Sequence, residues 1–250
     1  MNSFEKINKK NRFKRWFLAI FFVAVPLSIS SCSFFELIFG KGQALDLIES
    51  DFVNLDQFER ISKFRSCVGH GYPGDDNISS EKHYFEPDLA LYGDSNTSIP
   101  VYSPFAGKIT KVEPENHLLP KYNNEDRGRQ IHIKSTAYSH YTAVLFHINQ
   151  SSWVVVGATV QAGQQIGYAD CRYPTDSDNY SNFDIAIRHI SGNYFSYFEM
   201  LPDSIFVNYQ TRGIQSREEM IFTKEERDAS PCDWSQEGSS QYSAHWVNLN

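Results

Sequence analysis

Residues 130–167 read QIHIKSTAYSHYTAVLFHINQSSWVVVGATVQAGQQIG, and few folds accommodate such a stretch. Apolar residues alternate with period two at Ile131/Ile133 and again at Tyr141/Ala143/Leu145, with His147 next in the series. That spacing lines one face of a strand, whereas a helix requires three or four. The segment VVVGATVQAGQQIG then sets three glycines among short apolar runs. Such a pattern fits tight turns and closely approaching backbones in a narrow sheet. The expected class is mostly β, and His147 is expected to reach from the end of its strand into a site.

The N-terminus obeys a different logic. Lys6, Lys9, Lys10, Arg12, Lys14 and Arg15 precede the apolar run WFLAIFFVAVPLSI. The run is shorter than the roughly 20 residues a membrane-spanning helix needs, so the anatomy is that of an export signal. Ile29-Ser30-Ser31-Cys32 resembles a bacterial lipobox, which implies cleavage and acylation at Cys32. The expectation is a protein exported to the bacterial cell envelope, periplasm or surface, and held at the membrane by an N-terminal lipid anchor. Removing residues 1–31 takes away six basic residues and one acidic one, leaving 17 basic and 29 acidic, a net charge of −12. No nucleic acid is expected as a partner, because binding it relies on neutralising phosphates with Lys and Arg.

If Cys32 is acylated, Cys67, Cys171 and Cys232 remain, enough for one disulfide in an oxidising compartment. Cys67–Cys171 is the expected pair, since both lie in the main domain and Cys232 lies in a polar tail. Apolar residues at 45, 48, 52, 55, 58 and 61 recur at helical spacing, so residues 33–62 read as a tether and helical lead-in. A β domain is expected over 63–200. A helical extension should follow over 201–229, where Ser216/Glu219 and Thr223/Glu226 match capping boxes. Residues 230–250, rich in Ser, Gln, Gly and Asn, read as a disordered tail.

Across residues 64–190 an ordered series of motifs resembles the lysostaphin-like (M23/LytM) metallopeptidases. HYFEPDLAL corresponds to their H-x-x-x-D metal motif, and IPVYSPFAGKITKV to their G-T-P-V-x-A-x-x-D-G-x-V turn and strand. YTAVLFHIN corresponds to Y-x-x-x-Y-x-H-L, VVVGATVQAGQQIG to V-K-x-G-D-x-V-x-x-G-Q-x-I-G, and FDIAIR falls where the family has its last H-x-H strand. The resemblance implies an antiparallel β-sandwich or barrel-sandwich (a duplicated hybrid motif) with short helical extensions at both ends. It also implies a zinc ion held by three protein ligands that leave a position open for water.

Carried onto this sequence, the resemblance makes His147 and Asp184 the candidate catalytic residues. His83 and Asp88 stand at the first metal motif, and His70 in HGYPGDD is a further candidate ligand. His83 and Asp88 are five apart, so on a regular strand they face opposite ways and only a bulge near Pro87 would unite them. Ala186 stands where the third ligand is expected and offers no donor atom. A register shifted by two residues would present Asn182 and Asp184 instead, and His189 faces away from Asp184.

Three readings follow. The first is a non-catalytic domain whose groove, with Tyr84, Phe85, Tyr141 and Phe146, binds peptidoglycan or an envelope protein. The second is a zinc-dependent cell-wall endopeptidase with a rearranged site, and the third a purely structural envelope lipoprotein.

Overall fold

The computed structural model divides the chain into two units, Met1–Gln43 and Ala44–Asn250. It describes residues 45–72, 79–92, 95–116, 126–172, 183–234 and 240–250. The export signal, Cys32, Asp75-Asp76 and Asn182 lie outside the described residues. Among those described, no helix is long and apolar enough to cross a membrane.

The period-two segments form strands: β1 (Phe58–Ser62), β2 (His83–Pro87), β3 (Pro100–Tyr102), β4 (Gly107–Asn116), β5 (Asp126–Ser135), β6 (Tyr141–Gln150), β7 (Thr159–Val160), β8 (Gln165–Ala169), β9 (Phe183–His189), β10 (Tyr194–Phe195) and β11 (Trp246–Asn248). Every pairing between them is antiparallel. The main path runs β11-β1-β2-β9-β6-β5-β4-β7, and β8 joins β6 to β3. The fold is mostly β.

Pairing His83 with Ile185 and Leu145 with Ile185 places these side chains on one face. That face carries the main core, in which Phe85, Ile131, Ile133, Ala143, Leu145, Ile185 and Ile187 are all fully buried. On the opposite face, Tyr84 lies across from Asp184 and Val144 across from Ala186. A second, smaller apolar cluster of Val144, Phe146 and Ala186, flanked by Tyr72 and Tyr194, forms there.

Close backbone approach is concrete at Gly167. A Cβ on this residue would lie 2.4 Å from the Asn149 carbonyl oxygen and 2.9 Å from Gln150 Cα. Gly167→Ala is therefore expected to lower stability by about 1–3 kcal/mol, the usual range for overpacking. Urea unfolding would show this as a lower midpoint, and an unchanged midpoint would mean that β6 and β8 part without cost.

Three expectations are corrected. The lead-in is not α-helical where it is described, containing only a 3₁₀ turn at Leu55–Gln57. Its backbone is instead tied outward, with Ile48 N donating to Met200 O (3.1 Å) and Glu49 N to Pro104 O (2.8 Å). Phe52 is thereby laid into an aromatic cluster 4.9–5.4 Å from Phe85, Tyr197 and Phe183. Burial against tertiary partners has overridden the local helical spacing.

The described part of the tail, residues 230–234 and 240–250, likewise gains order through partners that its composition does not reveal. Trp246–Asn248 adds β11 to the edge of β1, and Arg60 stacks 4.5 Å over Trp246. The disulfide joins Cys67 to Cys232, not to Cys171. Cys67 lies beside the C-terminal region, where its N–H donates to His245 Nδ1 (3.0 Å) and its Sγ lies 3.1 Å from Arg227 Nη1. Cys171 is buried at the end of β8, its N–H bonded to Ser95 O (2.8 Å).

Within 201–229 the chain forms two helices, α1 at Asp203–Thr211 and α2 at Lys224–Ala229. Phe206 and Tyr209 of α1 pack into the main core. The Thr223/Glu226 capping box is complete in both directions.

Candidate functional site

The site face is built around Lys82, just ahead of β2. On an extended chain the side chains of residues 82 and 84 share a face, and Asp184 stands opposite Tyr84 on β9. Lys82 Nζ is ion-paired with Asp184 Oδ2, and both side chains are at most 1% exposed. The ammonium also lies 4.3 Å from the ring centre of Phe146, 4.7 Å from that of Tyr84 and 5.2 Å from that of Tyr72. All three distances fall within cation–π range. His70 Nε2 lies 3.4 Å from Nζ and accepts from it, while His70 Nδ1 donates to Gly71 O at 2.9 Å.

Charge explains these protonation states. Burial alone would push Lys82 down, but Asp184 and Tyr84 outweigh it and hold the amine well above its ordinary value. The Lys82 charge, and then burial, push His70 down, so its imidazole is neutral and can accept. Gly69 leaves room for the Tyr84 ring, because a Cβ there would sit 2.2 Å from the Tyr84 hydroxyl oxygen.

His147 reaches this face by breaking the alternation of its strand. The β5–β6 register runs from Ile131↔Leu145 to Arg129↔Ile148, so Phe146 and His147 together oppose Gln130 alone. His147 takes φ 56° at this bulge. An extra residue in one strand re-aims the side chains beside it, and both Phe146 and His147 turn toward Lys82 and Asp184.

Glu115 of β4 holds the bulge in place. Its Oε2 accepts from the His147 backbone N (2.5 Å) and lies 2.9 Å from Nδ1, while His147 Nε2 stands 3.6 Å from Asp184 Oδ1. Burial would lower His147, but Glu115 and Asp184 together raise it. Glu115 is held below the usual carboxylate range, because the His147 interactions outweigh its burial.

His83 and Asp88 take no part in this cluster. His83 points to the core face, with Nδ1 2.7 Å from Ser62 O and Nε2 2.8 Å from Ser196 Oγ. Asp88 turns its Oδ1 to the N–H groups of Ala90 and Leu91 at 3.0 and 3.2 Å. No bulge at Pro87 unites them, and the structure does not bring the two side chains together. The four-residue interval of H-x-x-x-D is present one position earlier, as Lys82 and Glu86. Glu86, however, is bound bidentately by Arg60 at 2.8 Å. Of the expected groove aromatics, Tyr84 and Phe146 line the site, whereas Phe85 and Tyr141 belong to the main core.

The resemblance pointed to His147 and Asp184 and the HGYPGDD loop to His70, and the structure brings these three together around Lys82. Lys82 and Glu115 were missed. Neither carried a signal in the sequence, because lysine is not a metal ligand and Glu115 lies in no motif.

These residues do not fit zinc. An open zinc site needs three N, O or S donors converging on one point. Here Asp184 Oδ2 and His70 Nε2 converge, and an ammonium holds the point between them. Among the described residues, no group of three or more His, Cys, Asp or Glu side chains is arranged to hold a metal ion.

Burial pushes His83 down to about 4 from an ordinary 6.5, which predicts acid sensitivity. Below about pH 6.5 the unfolded chain takes up a proton that the native imidazole refuses, so stability falls until about pH 4. A shift of this size amounts to on the order of 3 kcal/mol. His147, raised, acts in the opposite sense: its contribution is complete at low pH and is lost as pH rises through its folded value. Urea midpoints of His83→Gln measured across pH should show a flatter acid limb; an unchanged limb would assign the acid loss to other groups.

No protein-family model and no curated protein matches the chain. Solved structures similar to it include the catalytic domain of lysostaphin from Staphylococcus simulans, at 19% identity and TM-score 0.36, covering 54% of this chain and 84% of that one. A zinc-containing peptidase from Vibrio cholerae is similar at 18% identity and TM-score 0.41, over 63% of this chain and 40% of that one. A chain of the SpoIIQ–SpoIIIAH pore-forming complex is similar at 16% identity and TM-score 0.41, over 63% of this chain and 93% of that one. All three likenesses lie below 20% identity, and the fold of this chain is itself mostly antiparallel β.

Proposed function

We propose that this chain is an exported cell-envelope lipoprotein whose M23-like domain binds peptidoglycan or a cell-wall protein without hydrolysing it. One observation carries the non-catalytic part: the Lys82 ammonium, paired with Asp184, fills the point where donor atoms of the site face converge. A buried cation there repels a divalent metal and leaves no position for a metal-bound water. The export-signal anatomy and Cys32 support the envelope location, and the order of cell-wall peptidase motifs supports the class of ligand. The purified protein should co-sediment with isolated cell-wall material, contain no stoichiometric zinc, and release no soluble wall peptides when zinc is added. Chelator-sensitive release of such peptides would overturn the reading in favour of a rearranged endopeptidase.

A further inference from the structure

We infer that the site face is a cation cage that takes a primary alkylammonium group, and that the chain fills it with its own Lys82. The inference deepens the non-metallic reading above by naming the chemistry the site accepts. Its walls are three aromatic rings, Phe146, Tyr84 and Tyr72, with centres 4.3, 4.7 and 5.2 Å from Nζ. The floor is the fully buried Asp184 carboxylate, and one neutral acceptor, His70 Nε2, stands 3.4 Å away.

An ammonium has three N–H donors and no acceptor. A carboxylate and an imidazole nitrogen take two of them, and ring faces stabilise the remaining charge without any lone pair directed at a metal. Zinc asks for the reverse, four directed N, O or S donors in a tetrahedron. The enclosure is held from several sides. Tyr72 packs edge-on to Phe146 and Tyr194, each with centroids 5.3 Å apart, and the His147 bulge fixed by Glu115 sets the position of Phe146.

Lys82→Ala removes the Cγ–Cδ–Cε–Nζ segment, whose shape is that of propylammonium. The test compares thermal unfolding of the full chain, wild type and Lys82→Ala, with propylammonium chloride, sodium chloride or zinc chloride added. Propylammonium is expected to raise the melting temperature of Lys82→Ala in a dose-dependent way and to leave the wild type unchanged, as ligand binding to the native state requires. Sodium and zinc are expected to change the melting temperature of neither protein.

A folded Lys82→Ala protein indifferent to propylammonium would overturn the inference, as would one stabilised by zinc at one ion per chain. Should Lys82→Ala fail to fold, Lys82→Met keeps the bulk of the side chain and removes only its charge. Adding Asp184→Asn to Lys82→Met should then raise the melting temperature, and no gain would overturn the cage. Zinc content and wall hydrolysis by the wild type test the non-catalytic reading separately, so the two failures are distinguishable.

Discussion

Lys82→Met is expected to lower the free energy of unfolding by about 3–5 kcal/mol, the usual cost of removing one partner from a buried ion pair. The reason is asymmetry. Met fills much the same volume and keeps contact with the Tyr72, Tyr84 and Phe146 rings, so little packing is lost. The Asp184 carboxylate, which is 0% exposed, loses its nearest charged partner and keeps only His147 Nε2, 3.6 Å from Oδ1. Denaturant unfolding of the wild type and Lys82→Met measures the difference directly. A change below about 1 kcal/mol would place the pair in the class of weak surface bridges and remove its claim to organise the site.

The second large effect concerns the disulfide. Cys67 and Cys232 are 165 residues apart, and a cross-link over so long a loop restricts the unfolded chain strongly. Removing it with Cys67→Ser/Cys232→Ser is expected to cost about 2–5 kcal/mol. The loss should exceed that of Cys171→Ser, because Cys171 has no part in the bridge. Equal melting temperatures for the wild type and the double serine variant would show that the C-terminal region is held by its strand pairing and by Arg227 alone.

Much of the fold was legible along the chain. Alternation at Ile131/Ile133 and Tyr141/Ala143/Leu145 marks strands because period two is a local property of an extended backbone. The Thr223/Glu226 capping box was legible for the same reason, since both of its hydrogen bonds close within one turn. The lead-in and the tail were not. Leu45, Ile48, Phe52 and Leu55 carry helical spacing, yet their surroundings are Met200, Pro104 and an aromatic cluster far away in sequence. The tail has a polar composition, and its described residues are held through β1 and Cys67, partners that no local pattern names.

His147 shows where the two kinds of information meet. The sequence by itself determined a mostly β chain and a strand ending near a histidine. Residue type and spacing are enough for such statements. Only the tertiary structure decided that the alternation breaks at His147, that Glu115 holds the resulting bulge, and that Lys82 supplies a buried positive charge to Asp184. The physical reason is that register shifts and ion pairing between strands depend on which backbone lies across the sheet. Charge balance around Asp184 likewise depends on which cation the folded chain brings within reach.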